Sequence, residues 1–473
     1  MFGAPGNQLV PLTLLGWPFL CLVLFGGLPP RRAVLVALIA GFLFLPRGTL
    51  VIQGLPNYDK HLAVCLGALL GVLLFDPGRL LTVRMHWLDL PVLVLSFVPA
   101  ASSLSNNLGS YDAVSAAVNA SIGWLLPYML GRMYFTTPRA FRELAVAIFL
   151  GGLVYVPLCL WEIRMSPQLA LSLYGIRPNW IQNLRGTGFR PIVFFGHGLP
   201  LSLFMADAAV MGFWLWRSRS LDRVFSAPMR ILSPMVIVTT YLCRSALSMS
   251  LLTVGMVLFP VMYRARTLAP ILLMALVPLL FVTVRATGMW DAQELIDWSE
   301  TIFGPDRAGS FAFRVHHDTV LAEKALERPL LGWGGWGRNR IFDEQGRDIS
   351  TTDSLWVIRF GTNGLVGLVA LLAFVLLPPI MFVRRMPSWA IRDPEYSPAV
   401  AGAMLMCFWM IDLTQNATVF PTRILMAGAL TGMVAAAKHR PWRRRAERAA
   451  VGNGEAATAS RATDSRSTVS VLR

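Results

Sequence analysis

Residues 310–367 read SFAFRVHHDTVLAEKALERPLLGWGGWGRNRIFDEQGRDISTTDSLWVIRFGTNGLVG and form the longest polar interval between two apolar segments of the chain. Ser310 is a candidate cap for a helix that we expect to end near Pro329 and Gly332. A Gly/Trp-rich turn and a polar loop follow, and the loop ends at Asp353. Because the sequence is apolar again from the next residue, Asp353 is predicted to lie where a loop enters a membrane.

The composition indicates a membrane protein. Of the 473 residues, 55% are hydrophobic and 14% are charged, whereas soluble proteins carry roughly 25% charged residues. The net charge of +16 is compatible with nucleic-acid binding, but the basic residues occur in short clusters between apolar segments. That distribution is typical of the cytoplasmic loops of membrane proteins. We therefore expect a lipid bilayer as a partner and no nucleic acid.

Apolar runs predict an all-α integral membrane protein with about 12–14 transmembrane helices and a large loop, on one side of the membrane, that contains short helices. The predicted spans are residues 8–27, 32–46, 61–75, 88–103, 111–130, 143–162, 191–215, 231–243, 246–263, 268–284, 355–383, 397–415 and 419–437.

Arginine clusters follow every second span, so those loops are predicted to be cytoplasmic and the N-terminus to lie outside. This orientation divides the chain into a bundle of the first ten transmembrane helices (1–284), a large outward loop (285–353), the C-terminal transmembrane helices (354–437) and a basic, disordered cytoplasmic tail (438–473). The outward loops 163–190 and 285–353 carry several arginines against the topological bias. Such arginines either belong to a small folded cap or bind an anion.

The end of the first long outward loop is a candidate phosphate site. Arg185 and Arg190 flank a Gly-Thr-Gly turn, and Pro191 is predicted to start the next apolar helix. Guanidinium groups beside a helix N-terminus suit phosphate through paired hydrogen bonds and the helix dipole. The alternative is that these arginines anchor the helix end at the membrane interface. His197 would lie about two turns into this helix, as a packing residue or as a proton carrier.

Further candidates lie in other outward segments. Arg244, in a short turn, either adds positive charge to the same outer surface or anchors a helix end. Arg314 is predicted to lie on the loop helix with His316 and His317. Because adjacent helical residues point about 100° apart, the two histidines cannot both face one site.

Asp353 has two compatible interpretations, as the N-cap of the following helix or as a catalytic base. The sequence contains no HExxH pair, so no metal site is predicted. GWGGWG does not follow a strand, and no Walker lysine comes after it, so no nucleotide cofactor is expected. The five cysteines include no CxxC pair, which argues against a disulfide framework or a zinc site.

These motifs resemble the O-antigen ligase and O-antigen polymerase superfamily of bacterial integral membrane proteins. The run ALERPLLGWGGWGRNR is similar to the PLLGxG run of that family, and Asp353 is followed by the pair Gly364 and Gly367, as in its short motif. The Arg-Gly-Thr run before the seventh span and the Arg244-Ser245 turn also resemble the family. Where the family commonly has His, this chain has Asp353, which resembles a branch of exopolysaccharide-type polymerases.

The resemblance implies a metal-independent membrane glycosyltransferase that uses no cofactor. It would polymerise undecaprenyl-pyrophosphate-linked oligosaccharide repeat units into exopolysaccharide or O-antigen at the periplasmic face of the bacterial inner membrane, alongside other polysaccharide assembly and export proteins. In this hypothesis Arg190 and Arg314 hold the pyrophosphate, and Asp353 accepts the proton of the acceptor hydroxyl. The further candidate substrate-binding residues are Arg185, Arg244, His317 and His197.

The sequence leaves three alternatives open. A ligase-type enzyme would transfer the glycan to another acceptor. A lipid-linked glycan flippase or other transporter would place ionisable residues at mid-membrane. In a non-catalytic scaffold of an export complex, Arg190, Arg314 and Asp353 would each be dispensable.

Overall fold

The computed structural model describes residues 6–51, 57–179, 183–185 and 188–437. It is 73% helical, and the strands in these ranges form three two-stranded hairpins. Within the same ranges, eight helical segments are long and apolar enough to cross a membrane, and three shorter apolar helices accompany them. The prediction of an all-α integral membrane protein is therefore confirmed. The predicted tail, residues 438–473, lies outside the described residues.

The helices of the described residues are numbered here in chain order. They are α1 (Leu9–Gly27), α2 (Pro30–Phe44), α3 (Lys60–Phe75), α4 (Leu90–Ser105), α5 (Ser110–Ala120), α6 (Leu126–Tyr134), α7 (Pro138–Met165), α8 (Leu169–Tyr174), α9 (Gly198–Arg217), α10 (Met229–Leu242), α11 (Ala246–Ala265), α12 (Ala269–Ala286), α13 (Gln293–Phe303), α14 (Pro305–Leu326), α15 (Leu355–Arg385), α16 (Ser397–Leu413) and α17 (Pro421–Ala436). The strands are β1 (Thr49–Leu50), β2 (Tyr58–Asp59), β3 (Leu184–Arg185), β4 (Gly188–Phe189), β5 (Arg223–Val224) and β6 (Ala227–Pro228). A π-helical turn joins α5 to α6.

Helices α9, α16 and α17 form the centre of the bundle. Nearly every residue of α16 and α17 is buried, as expected for helices that are apolar on all sides. Arg423 of α17 donates hydrogen bonds to both carboxylate oxygens of Asp207 of α9, at 2.7 and 2.8 Å. Both side chains of this pair are buried. The pair fixes α17 against α9 and thereby places the connection between α16 and α17.

Helix α14 of the large loop begins earlier than the sequence predicts. It starts at Pro305, so the prediction that Ser310 caps this helix is wrong. Gly304, with φ of 83°, turns the chain, and Pro305 suits the first helical turn because its φ is fixed near the helical value. The helix ends at Leu326, shortly before Pro329, as expected.

Helix α15 is interrupted at Gly364, whose φ of 65° and ψ of −164° are not helical. The Leu-Gly-Trp-Gly run after α14 fills the interruption, and the Trp333 N–H donates to the Gly361 carbonyl at 2.8 Å. The two stretches touch backbone to backbone, because a Cβ on Gly332 would lie 2.6 Å from the Gly364 nitrogen. The PLLGWG run and the Gly-x-x-Gly pair are thus one structural unit, a loop inserted into an apolar helix.

Candidate functional site

A cavity of about 1620 Å³ lies at one end of the bundle. Its lining comes from the connection between α2 and α3, the segment before α9, the turn between α10 and α11, the large loop, and the connection between α16 and α17. The charge pattern predicts that all of these segments lie on the outer side. The cavity therefore collects residues from connections that are far apart in the sequence.

Most of the residues predicted from the sequence meet in this cavity. Those that line it are Arg190, Arg244, Arg314, Asp353 and His197. The side chain of Arg185 lies outside the described part of the chain. His317 does not occur among the described lining residues.

The cavity also contains basic residues that the sequence reasoning missed, namely Arg47, Lys60 and His61. Lys60 is 7% exposed, and its ammonium group lies 4.7 Å from the ring centre of Phe42 and 5.4 Å from that of Phe195. A signal for these residues exists in the sequence. Arg47 and Lys60 break the positive-inside bias in the same way as the arginines of the two longer outward loops, but in a short connection.

The charges in the cavity do not balance. Among the described lining residues, five arginine and lysine side chains accompany two carboxylates, those of Asp59 and Asp353. Asp59 caps α3 by accepting the Leu62 N–H at 2.9 Å, and Asp353 pairs with Arg314. The cationic side chains outnumber the carboxylates, so this part of the lining has an excess of positive charge. Such a cleft concentrates anions.

Glycines make room for three of the guanidinium groups. The contacts join Gly198 to Arg190, Gly196 to Arg47, and Gly188 to Arg244. A Cβ on Gly198 would lie 2.5 Å from both Cδ and Nε of Arg190. Any larger side chain there would push this arginine out of its position, so the local backbone fixes where the charge lies.

The segment that carries Arg190 is not helical, so the prediction that Pro191 starts a helix is wrong. Helix α9 begins at Gly198, and His197 is its N-cap rather than a residue two turns into the helix. The Nδ1 atom of His197 accepts the Leu199 N–H at 3.1 Å. Hydropathy could not locate this boundary, because the residues between Arg190 and His197 are mostly apolar and buried although they form no helix.

Arg314 and Asp353 form an ion pair, with 3.1 Å between Nε and Oδ2 and side-chain exposures of 24% and 42%. The predicted capping role of Asp353 is wrong, because Ser354 occupies the N-cap position of α15. The Ser354 hydroxyl donates to Oδ2 of Asp318 at 2.7 Å. Asp353 therefore lies at the cavity surface with one guanidinium partner and an accessible carboxylate.

His317 and Asp318 support the loop behind the cavity. Nδ1 of His317 accepts the Thr351 N–H at 3.4 Å, and its ring packs edge-on against Phe313, with 4.3 Å between ring centres. Asp318 is 2% exposed, and this burial raises its pKa to about 7, although the hydrogen bond from Ser354 lowers it. Both residues thereby hold the chain that leads to Asp353.

In the described ranges, no three His, Cys, Asp or Glu side chains gather as metal ligands would. The arrangement suits an anion with several oxygens, since arginine binds phosphate oxygens in pairs, next to a carboxylate that can accept a proton. Comparison of the sequence with protein-family models finds no match, and comparison with curated proteins finds none either.

Proposed function

We propose that this membrane protein is a glycosyltransferase that polymerises undecaprenyl-pyrophosphate-linked oligosaccharide units at the periplasmic face of a bacterial inner membrane. One observation carries the proposal: the Arg314–Asp353 pair lies in a cavity with an excess of basic side chains. The resemblance of the sequence motifs to O-antigen polymerases and ligases supports the same chemistry.

The lining fits a donor that is anionic at one end and apolar at the other. Arg190 and Arg244 supply guanidinium groups for the pyrophosphate. Leu247, Leu295 and Trp298 supply apolar surface in the same cavity, against which the first isoprene units of the lipid can pack. A polyprenyl pyrophosphate combines these two properties in one molecule.

The reaction would be a substitution at the anomeric carbon of the donor sugar. The acceptor hydroxyl oxygen forms the new bond to that carbon, and the bond between the carbon and the pyrophosphate oxygen breaks. The electron pair of the broken bond stays on the pyrophosphate, where Arg190 and Arg314 stabilise the added charge. The proton of the acceptor hydroxyl passes to the Asp353 carboxylate.

The decisive experiment is complementation of a strain that lacks this gene, with Asp353→Asn compared with wild type at equal membrane expression. We expect the variant to make at least about 100-fold less long polymer, the usual scale for loss of a general base. Lipid-linked single repeat units should accumulate at the outer face. Asp343→Asn, in the same loop and paired with Arg347, is the matched control and should leave the polymer unchanged.

Three outcomes count against the proposal. Normal polymer from Asp353→Asn would exclude the base role of this residue. Repeat units trapped on the cytoplasmic side would indicate a transporter. Normal polymer length with loss of transfer to a second acceptor would indicate ligase-type chemistry.

A further inference from the structure

A buried carboxylate, Glu162 of α7, holds the chain segment that carries Arg190. Its Oε2 accepts the N–H groups of Ile192 and Val193, each at 2.8 Å. Its Oε1 accepts the Leu169 N–H at 3.0 Å. The side chain has no exposed surface, so these backbone donors are what makes its burial tolerable.

The two N–H groups on Oε2 belong to residues that follow Arg190 almost directly in the chain. Val193 has φ of 46°, a conformation that β-branched residues rarely adopt. Such a backbone persists only where its surroundings hold it in place. Here one carboxylate oxygen accepts two successive N–H groups and thereby fixes the orientation of both peptide planes.

Two contacts from other residues also hold Arg190 in place. The Arg190 N–H donates to the Asn183 carbonyl at 2.8 Å, and the side chain packs on Gly198. Glu162 is not among the described residues that line the cavity. Any effect of Glu162 on a bound anion must therefore pass through the segment that it holds, and Arg190 is the cationic residue at the start of that segment.

We infer that Glu162 is a positioning residue: it holds the 190–197 segment so that the Arg190 guanidinium meets the anionic part of the ligand. The inference rests on the proposed function, because that function assigns the pyrophosphate to Arg190. The acceptor oxygens of Glu162 are the part of the residue that matters, since they replace the helical hydrogen bonds that this segment lacks.

The test uses the full-length protein in lipid nanodiscs, with inorganic pyrophosphate as the probe and calorimetry as the measurement. Glu162→Met keeps a similar length but removes both acceptor oxygens, and it should weaken pyrophosphate binding about tenfold, the scale of a charge-assisted hydrogen-bond network. Glu162→Gln keeps one oxygen and should give an intermediate loss. Glu143→Met is the matched control, because Glu143 lies on the same helix near its other end and pairs with Arg31.

A double-mutant cycle separates positioning from general destabilisation. Arg190→Ala should weaken binding, and Glu162→Met combined with Arg190→Ala should bind no more weakly than Arg190→Ala alone. Hydrogen exchange in the 190–197 segment should rise in Glu162→Met and stay at the wild-type level in Glu143→Met. If Glu162→Met gives no folded protein, Glu162→Gln carries the same comparisons.

The failures of the two proposals differ. Weak binding by Arg190→Ala with wild-type binding by Glu162→Met would overturn the positioning role and leave the proposed function in place. Additive losses in the double variant, or unchanged exchange in the 190–197 segment, would also overturn the positioning role. If the wild-type protein does not bind pyrophosphate, or if Arg190→Ala binds it normally, the proposed donor site is wrong and the positioning role falls with it.

Discussion

Two neighbouring carboxylates of the large loop have different surroundings and therefore different chemistry. The Asp353 carboxylate is accessible and pairs with Arg314, whereas the Asp318 carboxylate is buried and accepts the Ser354 hydroxyl. The accessible group lines the cavity, where a ligand can reach it. The buried group joins the loop helix to the start of α15.

Asp318 is expected to make the stability of the fold depend on pH. Its pKa of about 7 in the folded protein exceeds the ordinary value of roughly 3.9 in an unfolded chain. The unfolded state therefore loses this proton first as the pH rises. The stabilising contribution is complete below about pH 4 and is lost progressively up to about pH 7, by an amount on the order of a few kcal/mol.

Asp318→Asn should remove this dependence, because an amide does not titrate. Between about pH 5 and about pH 8, the thermal midpoint in detergent should fall more for wild type than for the variant. Asp343→Asn is the control. The backbone N–H of Arg347 lowers the pKa of Asp343, so this carboxylate affects the pH dependence of stability only at acid pH. Parallel pH curves for wild type and Asp318→Asn would contradict this assignment.

At the scale of the elements, the interruption of α15 depends on a single glycine, Gly364. A Cβ on Gly364 would collide with the backbone of Leu330, and the positive φ is itself unfavourable for other residues. Gly364→Ala should therefore separate the inserted loop from the helix and destabilise the protein by about 4 kcal/mol or more. The thermal midpoint in detergent would measure the loss, and limited trypsin digestion of the large loop should become faster.

Gly309→Ala provides the comparison for Gly364→Ala. Gly309 lies in α14, and a Cβ added there would meet no atom of another described element within 4 Å. Alanine is also the better helix former by about 1 kcal/mol. This variant should match or slightly exceed the wild-type stability. Equal midpoints for the Gly364 and Gly309 variants would show that the loop does not depend on the interruption of α15.

Apolar runs predict the elements well but not the contacts between them. Every predicted span contains a helix, because a helix that must bury its backbone in a membrane needs an apolar sequence. The predicted start of α9 at Pro191 was wrong, because the buried loop that precedes this helix is as apolar as a helix. Nothing in the sequence shows that Glu162 accepts the N–H groups of Ile192 and Val193, since this contact depends on how α7 packs.

For the candidate site too, the sequence predicts individual residues but not the contacts between them. Arg190, Arg314 and Asp353 were predicted because they depart from local rules of charge or polarity, and the structure brings them to one cavity. Arg47 and Lys60 join them only through the packing of α2 and α3. In a short connection the departure from the charge bias involves only one or two residues, and it does not show which neighbours they meet in space.

For the whole molecule, the charge pattern predicts which side of the membrane each loop faces. The five native cysteines are all buried, so the wild-type protein should resist a membrane-impermeant maleimide. Gln345→Cys, at an exposed position of the large loop, should be labelled in intact cells whose outer membrane is permeable. Ser226→Cys, exposed in the connection between α9 and α10, should be labelled only after lysis. The reverse pattern would place the cavity on the cytoplasmic side.

The contacts between glycine and arginine have a consequence for how the sequence can diverge. Gly198 and Gly188 do not have positive φ values, so their backbone would accept other residues. A Cβ on Gly198 would lie 2.5 Å from Cδ and Nε of Arg190, and a Cβ on Gly188 would lie 3.1 Å from a guanidinium nitrogen of Arg244, so these arginines disfavour a side chain at each position. A descendant that loses one of these arginines would be free to replace its glycine, and one that keeps the arginine would not. Correlated substitution at each pair of positions would therefore record whether a lineage keeps the same arrangement of positive charge in the cavity.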